Sequence, residues 1–134
     1  MSHRSRLAGL IVDCESGDLD AAAAFWSAAL GASVRPASAG DDDRYRALAM
    51  PDDEPYVEVQ RVDHPSRVHI DIETDDVEAE AARLEGLGAR RIAKVRSWIV
   101  MEAPTGHQFC VVPVVSKVFE SRANTWDAAD NKGE

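Results

Sequence analysis

Apolar and polar residues alternate in two stretches of the chain, and each stretch leads into a helical pattern. The alternating stretches are Leu10–Glu15 and Val68–Glu73. Alternation with a period of two predicts half-buried strands. Apolar residues then recur at helical spacing, in one stripe of Leu19, Ala23, Trp26 and Leu30 and in a second of Val77, Ala81 and Leu84. These stripes predict two amphipathic helices that pack against a sheet.

Capping residues mark where the helices begin and end. Asp75, with Glu78 three positions later, resembles a capping box at the start of the second helix. Gly31 and Gly88 follow the two stripes, where a left-handed residue commonly ends a helix. Both helices are therefore expected to be short.

Three shorter strands are predicted after each helix. They are Ala32–Arg35, Tyr45–Met50 and Tyr56–Val62 in the first half, and Arg90–Val95, Trp98–Glu102 and Phe109–Val112 in the second. Turn-forming residues separate them, as in Ala39–Asp43, Pro51–Pro55 and Pro104–Gly106. Each half therefore has the order βαβββ, and the stretch Val62–Arg67 links the two.

The two halves are copies of one unit. Asp13 and Asp18 recur as Asp71 and Asp76, each pair 58 positions apart. A repeat of this length predicts two supersecondary units that bury a core together. We expect one domain over residues 1–115, with modules at 7–62 and 67–113, and a tail at 116–134 that Phe119 and Trp126 attach to the domain.

The parity of the strands separates two faces of the sheet. The helices should cover the face of Leu10, Val12, Cys14, Val68, Ile70 and Ile72. The opposite face carries the residues between them, among which Ile11 in the first copy is matched by His69 in the second. Two such modules side by side would form a cup-shaped mixed sheet with helices outside, an α+β fold, and the cup would hold a small molecule.

Three segments resemble the vicinal oxygen chelate superfamily, which has the glyoxalase, bleomycin-resistance and extradiol-dioxygenase fold. They are Asp13–Gly31, Arg67–Ala89 and Trp98–Val112, and the resemblance covers about residues 7–113. It implies the duplicated cup. It leaves the activity open, because this fold hosts isomerases, dioxygenases, epoxide-opening enzymes and non-catalytic drug-binding proteins.

The resemblance also implies where a metal would bind in the catalytic members. Their ligand positions correspond to Ile11, Glu58 (or Gln60 on the same strand face), His69 and Cys110. Isoleucine cannot ligate a metal, so the sequence favours a pocket without the full ligand set. Glu58, His69 and Cys110 remain an alternative three-ligand site for zinc, nickel or iron.

Candidate functional residues follow from the cup face. Glu58 and His69 are the candidate catalytic residues. Candidate ligand contacts are Ile11, Asp13, Gln60, Asp71, Trp98, His107 and Cys110. Asp13 and Asp71 could divide acid and base roles between them or could anchor arginine and backbone partners. His107, in a turn, could be an acid or base at the mouth of the pocket or a solvated side chain.

The composition argues against some classes of binding partner and favours one cellular location. The net charge of −9 argues against nucleic acids and anionic membrane surfaces. Two cysteines in apolar runs predict buried, reduced thiols. Because no long apolar run or signal-peptide core is present, we expect a cytoplasmic protein, and the resemblance implies a homodimer.

Three functional hypotheses follow from these observations: a metal-free pocket protein that binds or transforms a small molecule, a metal-dependent lyase, isomerase or dioxygenase, and a non-catalytic interaction protein.

Overall fold

The structure is a computed structural model that describes residues 2–15, 17–36 and 43–127. The described chain contains β1 (His3–Cys14), α1 (Leu19–Leu30), β2 (Tyr45–Ala47), β3 (Tyr56–Arg61), β4 (Arg67–Thr74), α2 (Val77–Gly86), β5 (Arg90–Val95), β6 (Trp98–Glu102), β7 (Gln108–Pro113), α3 (Phe119–Arg122) and β8 (Asn124–Trp126). The predicted loop Ala39–Asp43 lies outside the described residues except for Asp43, as does the tail beyond Asp127. The α+β class is confirmed.

The chain divides into two compact units. One is Gly9–His69, and the other combines Met1–Ala8 with Ile70–Glu134. The eight strands of the described residues are ordered β2-β3-β1-β4-β7-β6-β5, with β8 paired to β1. The sheet is mixed, because β1 pairs with β3 and β4 with β7 in parallel, whereas β1–β8, β2–β3, β5–β6 and β6–β7 are antiparallel pairs.

In the Gly9–His69 unit, α1 covers the outer strands. The Asp18 side chain accepts a hydrogen bond from Ala21 N and begins the helix, and Gly31 ends it with a φ of 72°. Leu19 and Ala23 are its buried residues, and Val57 and Val59 are buried on β3. The Arg46 guanidinium on β2 donates to Asp20 at 2.9 Å, which places α1 on this face of the sheet.

Several predictions for this unit are wrong in detail. The strand Ala32–Arg35 is reduced to one bridge between Val34 and Leu48. Leu30 is exposed and Trp26 is half-buried, so only the first half of the predicted stripe is core. Leu10 is also exposed, because α1 contacts β2 and β3.

In the second unit, α2 packs against β5, β6 and β7. The core consists of Ala81, Leu84, Ile99, Met101 and Val111, with Ile72, Val77, Ala89 and Phe109 packed against it. The helix is capped by Asp76, the repeat mate of Asp18, which accepts from Ala79 N. The predicted cap, Asp75, instead accepts a hydrogen bond from Arg4 N.

The prediction that a helix covers the whole apolar face of β4 is also wrong. Ile72 joins the core, but Val68 and Ile70 are 56% and 45% exposed. The reason is that α2 lies over the strands that follow it in the chain rather than along β4.

The tail is fixed to the beginning of β1. Strand β8 pairs with His3–Ser5 in antiparallel fashion, and Trp126 Nε1 donates to Ser5 Oγ at 2.9 Å. Phe119 is buried, with the Arg4 guanidinium 5.5 Å from its ring centre. The predicted attachment through Phe119 and Trp126 is therefore seen in the structure. Strand β8 also covers an edge of β1 that would otherwise be open to pairing.

Two fully buried glutamates connect these segments. Glu80 accepts hydrogen bonds from His3, Ser5 and Arg83, all at 2.8–2.9 Å. Burial raises the pKa of Glu80, but these hydrogen bonds outweigh burial and lower the pKa overall. Glu80 is therefore a charged group at neutral pH.

Glu73 holds the base of the tail in the same way. Its Oε1 accepts from Val115 N and Ser116 N at 2.8 Å, and its Oε2 accepts from Arg6 at 2.7 Å and from Ser116 Oγ at 2.6 Å. Burial alone would raise the pKa of Glu73, yet the hydrogen bonds from Ser116, Val115 and Arg6 lower it overall. Every acceptor position of this carboxylate is used, as a buried charge requires.

Candidate functional site

A buried carboxylate orients one histidine in the Gly9–His69 unit. His69 Nδ1 lies 2.8 Å from Asp13 Oδ2, where β1 and β4 meet. Asp13 is 2% exposed and the His69 side chain 13% exposed. With an ionised Asp13, Nδ1 carries the proton, so any proton transfer or ligation by this ring takes place at Nε2.

The two oxygens of the Asp13 carboxylate differ in their hydrogen bonding to the described residues. Asp13 Oδ2 accepts from His69, and Arg67 Nε lies 3.6 Å from the same oxygen. Among the described residues, Asp13 Oδ1 is buried without a hydrogen-bond partner. A buried acceptor of this kind marks a place where a water or a ligand donor would be stabilised.

Three further candidate residues share this face of the unit. Ile11 is the register partner of Glu58, and Asp13 is the partner of Gln60. Partners across neighbouring strands project from the same face, and α1 lies on the other face, that of Val57 and Val59. The predicted separation of the helix-covered face from the polar face is therefore correct here, although Ile11 is itself 2% exposed.

Neither of the two cysteines forms a disulfide, and both are half-buried rather than buried as predicted. Burial, and then the neighbouring charge of Asp13, raise the pKa of the Cys14 thiol. Cys14 is therefore a thiol at neutral pH and a poor nucleophile.

Possible metal donors lie together on β4 and β7. Asp71 and Cys110 are register partners on these strands, and His69 precedes Asp71 by two positions, so it projects from the same face of β4. One donor atom from each of the three residues lies within 4.8 Å of the others. Imidazole, carboxylate and thiolate are a donor set that suits zinc with an open position. The grouping contains Asp71 where the sequence proposed Glu58.

The remaining candidates lie on β6 and in the turn after it. Trp98 shares a face with Val100, the register partner of Cys110, while Ile99 and Met101 face the core. His107 is exposed, and its Nδ1 lies 2.7 Å from Thr105 Oγ1 in the turn. The parity of Trp98 is as predicted, and His107 is held by its own turn.

The sequence reasoning missed two residues of the polar face. Arg67 approaches Asp13, and Tyr45 accepts a hydrogen bond from Gln60 Nε2 at 3.0 Å. Neither follows from the repeat, because the repeat does not show which side chains of different strands meet.

Comparisons with known proteins agree with the architecture. Residues 9–112 match the glyoxalase-like domain family. No curated protein matches the chain.

Solved structures share the fold at low sequence identity. Methylmalonyl-CoA epimerase from Mycobacterium tuberculosis is 17% identical, with a TM-score of 0.60, over 84% of this chain and 89% of that one. A hypothetical protein from Bacillus halodurans is 12% identical, with a TM-score of 0.61, over 84% of this chain and 96% of that one. A single-residue variant of Streptomyces coelicolor methylmalonyl-CoA epimerase, in complex with 2-nitronate-propionyl-CoA, is 20% identical, with a TM-score of 0.57, over 83% and 98% of the two chains. At these identities the likeness concerns the fold.

Proposed function

The chain belongs to the glyoxalase-like domain family of the vicinal oxygen chelate superfamily, and we propose that it binds and transforms a small organic molecule on the sheet face that carries His69. The observation that supports this proposal is the 2.8 Å contact between His69 Nδ1 and the buried Asp13. A histidine fixed in one orientation by a buried carboxylate is suited to accept a proton from a ligand.

Each residue of the pair has a distinct part in the proposed reaction. His69 accepts the ligand proton at Nε2, and Asp13 stabilises the imidazolium that then forms. Glu58 is the second proposed catalytic group, because it is a half-buried carboxylate on the same face of the unit. The proposed ligand contacts are Ile11, Asp13, Gln60, Asp71, Trp98, His107 and Cys110.

The direct test is ligand detection by NMR with a library of small oxygenated compounds. A true ligand perturbs the backbone amides of β1, β3 and β4 in the wild type and loses affinity in His69→Ala. If compounds bind equally well to His69→Ala, the site has been assigned to the wrong residues.

The second candidate is a metal-dependent enzyme of the same family, favoured by the grouping of His69, Asp71 and Cys110. These three residues would hold the ion, and Asp13 would orient the His69 ring from behind. A bound divalent metal supplies a Lewis acid that polarises a substrate oxygen.

Elemental analysis distinguishes the two candidates. Protein purified without chelator should contain near-stoichiometric metal if the second candidate is correct, and His69→Ala and Cys110→Ser should lose it. Protein without metal that still binds small molecules supports the first candidate.

We also propose a cytoplasmic homodimer. Cysteines that form no disulfide are typical of a reducing compartment. Val68 and Ile70 expose apolar surface that a second copy could cover. No helix in the described part of the chain is long and apolar enough to cross a membrane. Light scattering should give the mass of a dimer for the wild type and of a monomer for Val68→Glu. Cell fractionation should recover the protein in the cytoplasmic fraction, with both thiols reduced.

A further inference from the structure

The two oxygens of the buried Asp13 carboxylate have different surroundings in the Gly9–His69 unit. Oδ2 accepts a hydrogen bond from His69 Nδ1 at 2.8 Å, and Arg67 Nε lies 3.6 Å from the same oxygen. Oδ1 is buried and lacks a hydrogen-bond partner among the residues that the structure describes. One oxygen therefore orients the histidine, and the other is an acceptor that requires a donor.

The position of Asp13 on β1 shows from which side this donor comes. An unpaired buried acceptor is costly, and more so when it carries charge. Buried polar groups therefore have a partner, which is a protein group, an ordered water or a ligand. Asp13 is the register partner of Gln60 and projects from the same face of the sheet. Because α1 lies on the other face, the donor to Oδ1 comes from the side on which we place the ligand.

The neighbours of Asp13 favour a small donor. Ile11, two positions earlier on the same face of β1, is buried, and the His69 side chain is largely buried. The Arg67 side chain is 43% exposed, so solvent reaches Asp13 most easily past this arginine. A group that enters between Arg67 and His69 displaces little of either side chain only if it is as small as a hydroxyl.

The charges of the face favour a neutral donor. Asp13 and Glu58 place two carboxylates on this face, and they would repel a ligand carboxylate. A ligand ammonium at Oδ1 would lie near Arg67 and near the imidazolium that forms when His69 accepts a proton. A hydroxyl group donates to Oδ1 without either repulsion.

We propose that Asp13 Oδ1 binds a hydroxyl group of the ligand, so that Asp13 determines specificity in addition to orienting His69. The inference rests on the proposed function, since it assumes that the ligand lies on this face. It assigns the ligand class: a neutral alcohol whose hydroxyl lies beside the His69 ring.

Three matched probes test the ligand class. Benzyl alcohol carries the donor, benzyl methyl ether keeps the oxygen without the donor, and benzylamine carries a charged ammonium group at neutral pH. NMR titration of the wild type should show benzyl alcohol binding about 10- to 100-fold more tightly than the ether, the range expected for one hydrogen bond to a charged acceptor. Benzylamine should bind more weakly than benzyl alcohol.

Two variants test the residue. In Asp13→Asn the carbonyl oxygen can accept from His69, and the amide nitrogen then replaces Oδ1 and donates to the alcohol and the ether alike. Asp13→Ala removes the acceptor altogether. Both variants should lose the preference for benzyl alcohol over the ether. The amide spectrum of each variant shows whether it is folded.

The matched control is Asp20→Asn. It makes the same chemical change in the same unit, at an exposed side chain of α1 that pairs with Arg46. Because α1 lies on the other face of the sheet, this variant should keep the preference of the wild type.

The outcomes separate this inference from the proposed function. If benzyl alcohol perturbs β1 and β3 but its preference survives in folded Asp13→Asn and Asp13→Ala, Asp13 is not the specificity residue and the proposed function stands. Equal binding of the alcohol and the ether by the wild type would show that a water, not the ligand, supplies the donor to Oδ1. Tighter binding of benzylamine, or no saturable binding of benzyl alcohol, also overturns the inference. Binding that perturbs only residues of the second unit overturns the proposed function as well.

Discussion

The sharpest prediction concerns Glu73, the buried carboxylate at the base of the tail. Glu73→Gln keeps the shape of the side chain and one oxygen, so the hydrogen bonds from Val115 N and Ser116 N can remain. The new amide would face Arg6, which is 2.7 Å from Oε2 and cannot accept a hydrogen bond. The variant therefore leaves the guanidinium of Arg6, 12% exposed, without its counter-charge.

The expected loss of unfolding free energy is that of removing one partner of a buried ion pair. Such changes cost about 3–5 kcal/mol of unfolding free energy. Glu73→Ala should be worse, because two backbone N–H groups would also lose their acceptor, at about 1–3 kcal/mol each. A domain of ordinary stability would barely remain folded with that loss.

Urea unfolding followed by circular dichroism measures the effect. The control is Glu78→Gln, which disrupts an ion pair with Arg91 on the exposed surface of α2 and should change stability little. The double variant Arg6→Met with Glu73→Gln should recover part of the loss, since it removes the uncompensated charge. A loss below about 1 kcal/mol for Glu73→Gln, the size of one ordinary hydrogen bond, would show that the pair does not hold the tail as described.

Three other predictions address the same framework. The pKa of Glu73 is lowered from 4.5 in the folded state, so its contribution to stability is present above pH 4.5 and is lost as the pH falls through the folded-state pKa. The unfolding free energy of Glu73→Gln should therefore fall less steeply with decreasing pH than that of the wild type. Parallel pH dependences would contradict this. A methyl group at Gly9 would overlap the Tyr56 ring, so Gly9→Ala should lower the stability of the folded protein by about 1–3 kcal/mol, measured by thermal unfolding. The same substitution in a Tyr56→Ala background should cause no such loss. An equal loss in both backgrounds would show that the loss has another cause. Trp126→Phe removes the hydrogen bond to Ser5 and should lose about 1 kcal/mol and speed hydrogen exchange in His3–Ser5, whereas unchanged exchange there would mean that β8 does not depend on this bond.

Much of the local structure was predictable because it depends on neighbours in sequence. The 58-residue repeat matches Asp18 to Asp76, and the two residues cap α1 and α2 in the same way. Strands β5 and β6 have the predicted bounds, since alternation and turn residues are local signals. The predicted strand Ala32–Arg35 did not follow this rule, because its pairing depends on a partner elsewhere in the chain.

The sequence predicted which face of the sheet carries the candidate site, but not the contacts between its residues. Parity placed Asp13 and His69 on the face opposite the helices. It could not show that they bind each other, that Asp71 meets Cys110, or that Tyr45 meets Gln60. These contacts depend on register, that is, on which residues of neighbouring strands lie opposite each other, and register is fixed only when the strands come together in the sheet.

The sequence by itself determined most of the strands, the helices α1 and α2, and the family, because periodicity and capping act over a few residues. Only the tertiary structure decided which polar groups became buried partners. No pattern in the sequence predicts that the charged residues Glu73 and Glu80 are buried, yet both are fully buried. They are stable there because Arg6, Ser116, His3 and Arg83 reach them from distant parts of the chain, and no local pattern records a hydrogen bond between segments that meet only after folding.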